Sequence, residues 1–175
     1  MSYKIIKQIA KTGLITEPSP TTTTEEWRLV FQPLQESILH AFGRAACIRH
    51  VDAGSCNGCE LEINALHNPY YNIEGTGLRF VASPRHADIL LVTGPVTRNM
   101  VVALKRTYDS MPHPKWVIAL GDCAGNGGIF CKSYAVVGSV DQVIPVDVAV
   151  PGCPPTPVAI LQGIYTGVAV RCLES

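Results

Sequence analysis

Charge is scarce in this sequence. Lysine plus arginine number 14, aspartate plus glutamate 14, so the formal net charge is zero and charged residues make up only 16%. About a quarter is usual for a soluble domain. A balanced and sparse surface of this kind argues against nucleic acid as a partner, which calls for a basic face. It suggests that much of the outside meets other proteins. No apolar run approaches the roughly 20 residues that span a bilayer, so the chain is not expected to be transmembrane itself, although it can still dock on a membrane assembly. A charged, apolar start with a cleavage site is also missing. Seven cysteines, an odd number, then point to a reducing compartment, where clustered cysteines bind metal more often than they form disulfides. Neither the P-loop lysine nor the ordered glycine pattern of dinucleotide sites occurs. No hydrolytic or nucleophilic constellation stands out, and there is no internal repeat.

The cysteines are placed with a pattern. A short apolar strand, Ile48 to Val51, leads into Gly54-Ser55-Cys56-Asn57-Gly58-Cys59-Glu60. Trp116 to Gly121 leads into Asp122-Cys123, and Val146 to Gly152 leads into Cys153. Parallel strands in one sheet would bring all four sulfurs to the same edge, which reads as an iron–sulfur site. Pro154 after Cys153 removes a competing donor and stiffens the loop. Neighbouring glycines leave backbone N–H groups free to donate toward sulfide. Structural zinc on four thiolates is the competing reading, but such sites usually draw on two C-x-x-C knuckles in a domain that cannot fold otherwise. Cys47 and Cys172 read as buried, unligated thiols, and Cys131 as a residue beside the site. Arg85 and His86, just ahead of a central strand, either raise the potential of a cluster by their charge or form an ordinary surface pair. Glu60 either answers the dipole of a helix start or relays protons to a neighbouring subunit.

In chain order, residues 1–12 carry Ile5, Ile6 and Ile9 beside Lys4, Lys7 and Lys11. They read as a tail or as an arm on a partner or membrane surface. A proline- and threonine-rich linker follows, and then a helix from Pro33 with Leu34, Ile38, Leu39 and Phe42 as its apolar stripe. Strands are expected at 47–51, 78–82, 87–93, 115–120 and 143–150. Helices are expected at 60–66, 97–111 and 157–172, with a tight loop at 124–128. Alternation of this kind predicts an α/β fold: a mostly parallel sheet, helices on both faces, and the ligand site at the carboxyl ends of the strands. Residues 1–44 would form the arm, linker and helix for partner contact, and residues 45–175 the iron–sulfur domain. Pro95 removes a donor from the Thr93–Thr97 loop where a flavin phosphate would sit, so flavin is not expected.

Four stretches carry a resemblance: Val51-Asp-Ala-Gly-Ser-Cys-Asn-Gly-Cys-Glu-Leu-Glu62, Ser83-Pro-Arg-His-Ala-Asp-Ile-Leu-Leu-Val-Thr-Gly94, Gly121-Asp-Cys-Ala124 and Val150-Pro-Gly-Cys-Pro-Pro-Thr-Pro157. They resemble the small, cluster-bearing subunit shared by nickel–iron hydrogenases and respiratory complex I. Ser55 ahead of a spaced C-x-x-C-E is similar to the hydrogenase form, since the complex I subunit has adjacent cysteines. A chain ending soon after Cys153 resembles the membrane-bound, energy-converting hydrogenases, formate hydrogenlyase among them. The resemblance implies a flavodoxin-like fold with one 4Fe–4S cluster on Cys56, Cys59, Cys123 and Cys153. It implies a large partner subunit with the nickel–iron centre, a ferredoxin-like iron–sulfur subunit and membrane-arm subunits. The chain would be a non-catalytic electron relay, peripheral on the cytoplasmic face of the inner or plasma membrane. A complex I-like quinone or sulfane reductase without nickel is the alternative, and a zinc-stabilised interaction module is a third.

Overall fold

The computed structural model describes residues 35, 36, 38–40 and 42–172, with side chains to residue 169. The expected arm, the linker, Leu34 and the side chain of Cys172 lie outside the described residues. Among the described residues seven strands occur: β1 (Ala46–Asp52), β2 (Leu78–Phe80), β3 (Ile89–Thr93), β4 (Val96–Thr97), β5 (Trp116–Leu120), β6 (Val136–Gly138) and β7 (Val148–Val150). Helices are α1 (Gly58–Ala65), α2 (Val101–Ser110), α3 (Asp122–Asn126) and α4 (Pro157–Cys172). Five strands form a wholly parallel sheet in the order β2-β1-β3-β5-β7. Counted alone, these five follow the 2-1-3-4-5 order of the flavodoxin-like fold, whose ligand crevice lies outside the carboxyl ends of the strands.

Sequence explains the layers. In β3 all five residues, Ile89 to Thr93, are buried, as a strand covered on both faces must be. Successive side chains point to opposite faces, so Ile89 and Leu91 join one core and Leu90 and Val92 the other. The first core takes Ile63 and Leu66 from α1 and its following turn, and Ile160 and Ile164 from α4. The second takes Leu104 from α2 and Ala124 from α3, with Met100, Val101 and Tyr108 packed against it. Ile38 is buried in the first core, and Phe42 meets Trp116 edge to face with centroids 4.6 Å apart. Leu39, expected in the same stripe, is exposed.

Three elements differ from expectation. The last strand begins at Val148 rather than Val143, because Val140–Gln142 forms a 3-10 turn and Pro145 follows it. Asp147 then locks on to β5: the Val117 N–H donates to its carboxylate at 2.8 Å, and its own N–H donates to the Val117 carbonyl at 2.9 Å. The glycine-rich 124–128 segment is not all loop; α3 runs through Asn126, and Gly127 and Gly128 end it with positive φ. β4 and β6, which pair antiparallel outside the main sheet, were not expected. Among the described residues no helix is long and apolar enough to cross a membrane.

Candidate metal centre

The three cysteine-bearing loops follow β1, β5 and β7, so parallel strand direction delivers them to one rim. At the end of β1, Asp52 accepts the N–H groups of Gly54 and Ser55 at 2.8 and 2.7 Å, which turns the chain sharply. Asn57 then takes a left-handed conformation (φ 71°) and starts α1, a role asparagine tolerates better than most residues. Cys56 is left exposed before the helix, and Cys59 is buried in its first turn. Cys123 sits in the first turn of α3, and Cys153 is exposed after Gly152. Cys56, Cys123 and Cys153 line a pocket of about 510 Å³, with Ile129 and Phe130 as its apolar wall.

The sulfurs also act on one another electrostatically. Burial pushes the Cys59 thiol up to about 12, and Glu60, Cys56, Cys123 and Cys153 act in the same direction. Burial also raises Cys123, helped by Cys153, Cys56 and Asp122. Without metal these two thiols hold their protons at neutral pH. A soft metal centre would displace those protons on binding.

The residues fit an iron–sulfur group. Four thiols are the donor set of such clusters or of zinc. Two glycines clear the space around the sulfurs. A Cβ on Gly121 would stand 2.9 Å from Cys59 Sγ, and one on Gly128 would stand 2.7 Å from Cys123 Sγ. Both glycines also have positive φ. Among the described residues, no three histidine, cysteine or acidic side chains converge on a single ion-sized point. Three of the four, Cys56, Cys123 and Cys153, line one pocket instead.

Other expected residues are sorted by strand direction. Arg85 and His86 occupy a 3-10 turn, Pro84–His86, that precedes β3. They lie at the amino ends of the strands, in a pocket of about 350 Å³ with Arg44, Cys47, Arg79 and Asp88. The five residues of β3 at about 3.3 Å each separate them from the cysteine rim. The expectation that their charge acts on the cluster is therefore corrected. Cys131 is exposed and is not among the side chains lining the cysteine pocket, although Phe130 is. Cys47 is buried at the far end, where Arg79 Nε approaches its sulfur at 3.3 Å. Glu60 is tied down: Ser55 Oγ donates to one carboxylate oxygen at 2.7 Å, the Thr93 hydroxyl donates to the other, and His50 Nε2 lies 3.7 Å away. In the sequence His50 stands only as a basic residue of the first strand, beside Arg49. Thr93, Ile129 and Phe130 were not expected at the site, and only the glycine-rich run before Ile129 hinted at a wall there.

A doubly wound, flavodoxin-like α/β domain with four cysteines on the carboxyl rim of its sheet is the class defined by fold and site. Residues 56–166 match the family described as NADH ubiquinone oxidoreductase, 20 kDa subunit, and the chain belongs to that family. It is 52% identical over 122 residues to the probable membrane-bound hydrogenase subunit mbhJ of Pyrococcus furiosus, covering 70% of this chain and 73% of the relative. It is 47% identical over 146 residues to formate hydrogenlyase subunit 7 of Escherichia coli, covering 83% of this chain and 56% of that longer protein. Among solved structures it resembles a chain of the membrane-bound sulfane sulfur reductase, an archaeal respiratory membrane complex. The TM-score there is 0.65 at 34% identity, with 80% of this chain and 76% of the other covered.

Proposed function

We propose that this chain is the electron-relay subunit of a membrane-bound hydrogenase complex, holding one 4Fe–4S cluster on Cys56, Cys59, Cys123 and Cys153. The observation that carries the reading is the meeting of four sulfurs from three separate loops at one rim. When bound, the cluster supplies one-electron chemistry. The chain's own residues seat it: Cys59 anchors it from the buried side, Gly121 and Gly128 leave it room, and Ile129 and Phe130 line the pocket beside it.

Hydrogen is made or consumed in a large partner subunit with a nickel–iron centre, and a ferredoxin-like subunit exchanges electrons with the relay. Membrane-arm subunits hold the assembly on the cytoplasmic face of the membrane, with this chain peripheral to the bilayer. Exposed apolar residues that line the cysteine pocket, Ile129 and Phe130, support a partner surface there, since such patches mark interaction sites. Residues 1–44 serve partner contact and residues 45–175 form the cluster domain. A sulfane- or quinone-reducing complex without nickel is the second reading, favoured by the solved structure at 34% identity. The two hydrogenase-named relatives, at 52% and 47%, weigh toward the first.

Metal analysis of the copurified complex tests both. Iron bound to this chain, with a paramagnetic signal appearing on reduction, is expected together with nickel in the large subunit. Iron without nickel favours the second reading, and zinc with no such signal refutes both.

A further inference from the structure

Arg85 and His86 have no part in the cysteine rim, and the pocket they line lies at the opposite end of the sheet. Three strands begin there. Arg44 stands two residues ahead of β1, Arg79 is the middle residue of β2 and lies beside Cys47 in the register, and the Pro84–His86 turn leads into β3. Arg44, Arg79, Arg85 and His86 line one cavity of about 350 Å³. Among the described residues, Asp88 is the only carboxylate that lines it. Ligand pockets start at roughly 300 Å³, so this one suits a small group.

The donors of that cavity are only partly spent. Arg44 gives its fork to Asp88 at 2.7 and 3.0 Å and so neutralises it. Arg79 turns Nε toward the buried Cys47 sulfur, which leaves its two terminal nitrogens for another partner. Among the described residues, no carboxylate pairs with Arg79 or Arg85, and the side chains of Arg85 and His86 make no hydrogen bond. Two guanidiniums therefore remain, and arginine is always charged. The Cys47 sulfur favours the charge on Arg79, while Arg44 beside it opposes that charge. Cations gathered in a concave site without a counter-charge of their own call for an anion.

We propose that this amino-rim pocket binds a phosphate group, held by Arg79 and Arg85 with His86 beside them. A carboxylate has two oxygens and is matched by one arginine fork. A terminal phosphate offers three acceptor oxygens and up to two negative charges, which answer two forks. Arg44 stays on Asp88, and the Cys47 sulfur keeps Arg79 aimed into the cavity. The phosphate belongs to a lipid headgroup or to a soluble phosphate, since both present the same oxygens. The site makes no use of the four cysteines, so it stands whether or not a cluster is bound.

Calorimetric titration of the full chain with inorganic phosphate tests the proposal, together with cosedimentation on phosphatidylcholine vesicles with and without phosphatidic acid. Saturable binding of inorganic phosphate assigns a soluble ligand, and retention on phosphatidic acid vesicles alone assigns a lipid headgroup. Arg79→Gln and Arg85→Gln should each weaken the binding about tenfold, the loss of one charge-assisted hydrogen bond. Arg106→Gln, on α2 and away from the pocket, should leave it unchanged. All three side chains are exposed, so denaturant midpoints should hold steady and separate lost binding from lost fold. No saturable binding in either arm overturns the proposal, and so does binding that survives both pocket variants. A glutamate-rich peptide that binds through the same two arginines more tightly than phosphate overturns it as well, and gives the pocket to a partner's carboxylates.

Discussion

Asp122 and Gly152 clasp each other twice. The Gly152 N–H donates to Asp122 Oδ1 at 2.8 Å, and the Asp122 N–H donates to the Gly152 carbonyl at 2.9 Å. Each residue immediately precedes a cysteine, so the clasp fixes Cys123 against Cys153. Asp122→Ala leaves the Gly152 N–H without its acceptor and should cost about 1–3 kcal/mol. Asp122→Asn keeps an acceptor oxygen and should lose less. Denaturant midpoints of the two variants check the order, and equal losses would count against the clasp.

Room beside the sulfurs gives a second prediction. Gly121→Ala combines a left-handed backbone (φ 87°) with a methyl group 2.9 Å from Cys59 Sγ. Strain of this kind costs on the order of 1–3 kcal/mol. Iron retained per chain should fall in this variant and in Cys123→Ser. Gly125→Ala, whose nearest neighbour would be Ala149 Cβ at 3.8 Å, should keep its iron. A Gly121→Ala chain with full iron would sink the steric argument.

Thiol reactivity offers a third. In chain stripped of metal by chelation, alkylation at pH 8 should modify the exposed Cys56, Cys131 and Cys153 first. Cys59, pushed to about 12 by burial and by Glu60, is thiolate in only about one molecule in ten thousand at that pH, and the thiolate is the reacting form. Peptide mass mapping over time reads the order directly. Cys59 labelling as fast as Cys153 would contradict it.

Acid should weaken the fold through His50. Its folded-state affinity for protons is lowered by burial, so the unfolded chain binds more protons than the folded one as pH falls through the ordinary histidine range near 6.5. Stability therefore rises with pH across that window and is lost on the acid side. The gap between denaturant midpoints at pH 8 and pH 5 should shrink in His50→Gln. An unchanged gap would assign the acid sensitivity to other groups.

At the opposite end of the sheet, Asp88 accepts two bonds from Arg44, at 2.7 and 3.0 Å, and one from the Cys47 N–H at 2.9 Å. Its side chain is 8% exposed, whereas that of Arg44 is 57% exposed. Asp88→Ala orphans a buried N–H and should cost about 1–3 kcal/mol. Arg44→Ala breaks a largely solvated pair and should cost under about 1 kcal/mol. Thermal or urea unfolding distinguishes the two.

The β3 run Ile89-Leu90-Leu91-Val92 announces a strand buried on both faces, and a glycine within two residues of cysteine at three strand ends announces the rim. Both signals are local, so a sequence carries them whole. Arg85 and His86 misled because closeness in sequence to a central strand says nothing about which end of it a residue occupies. Strand direction decides that, and residues ahead of a parallel strand go to the amino rim. Residues 143–147 looked like strand because an apolar run has no period to distinguish it from a turn. β4 and β6 are two and three residues long, too short for any pattern. The His50–Thr93–Glu60 contacts join three elements, and only their assembly in space brings them together.

The first and last of the four cysteines stand at positions 56 and 153, and β7, which sets the last one, is an edge strand added at the end of the sheet. A nascent chain therefore offers an incomplete socket until its final strand has docked. If a cluster seats there as proposed, its insertion would be a late checkpoint, and truncated or half-folded copies would be left without their inorganic cargo.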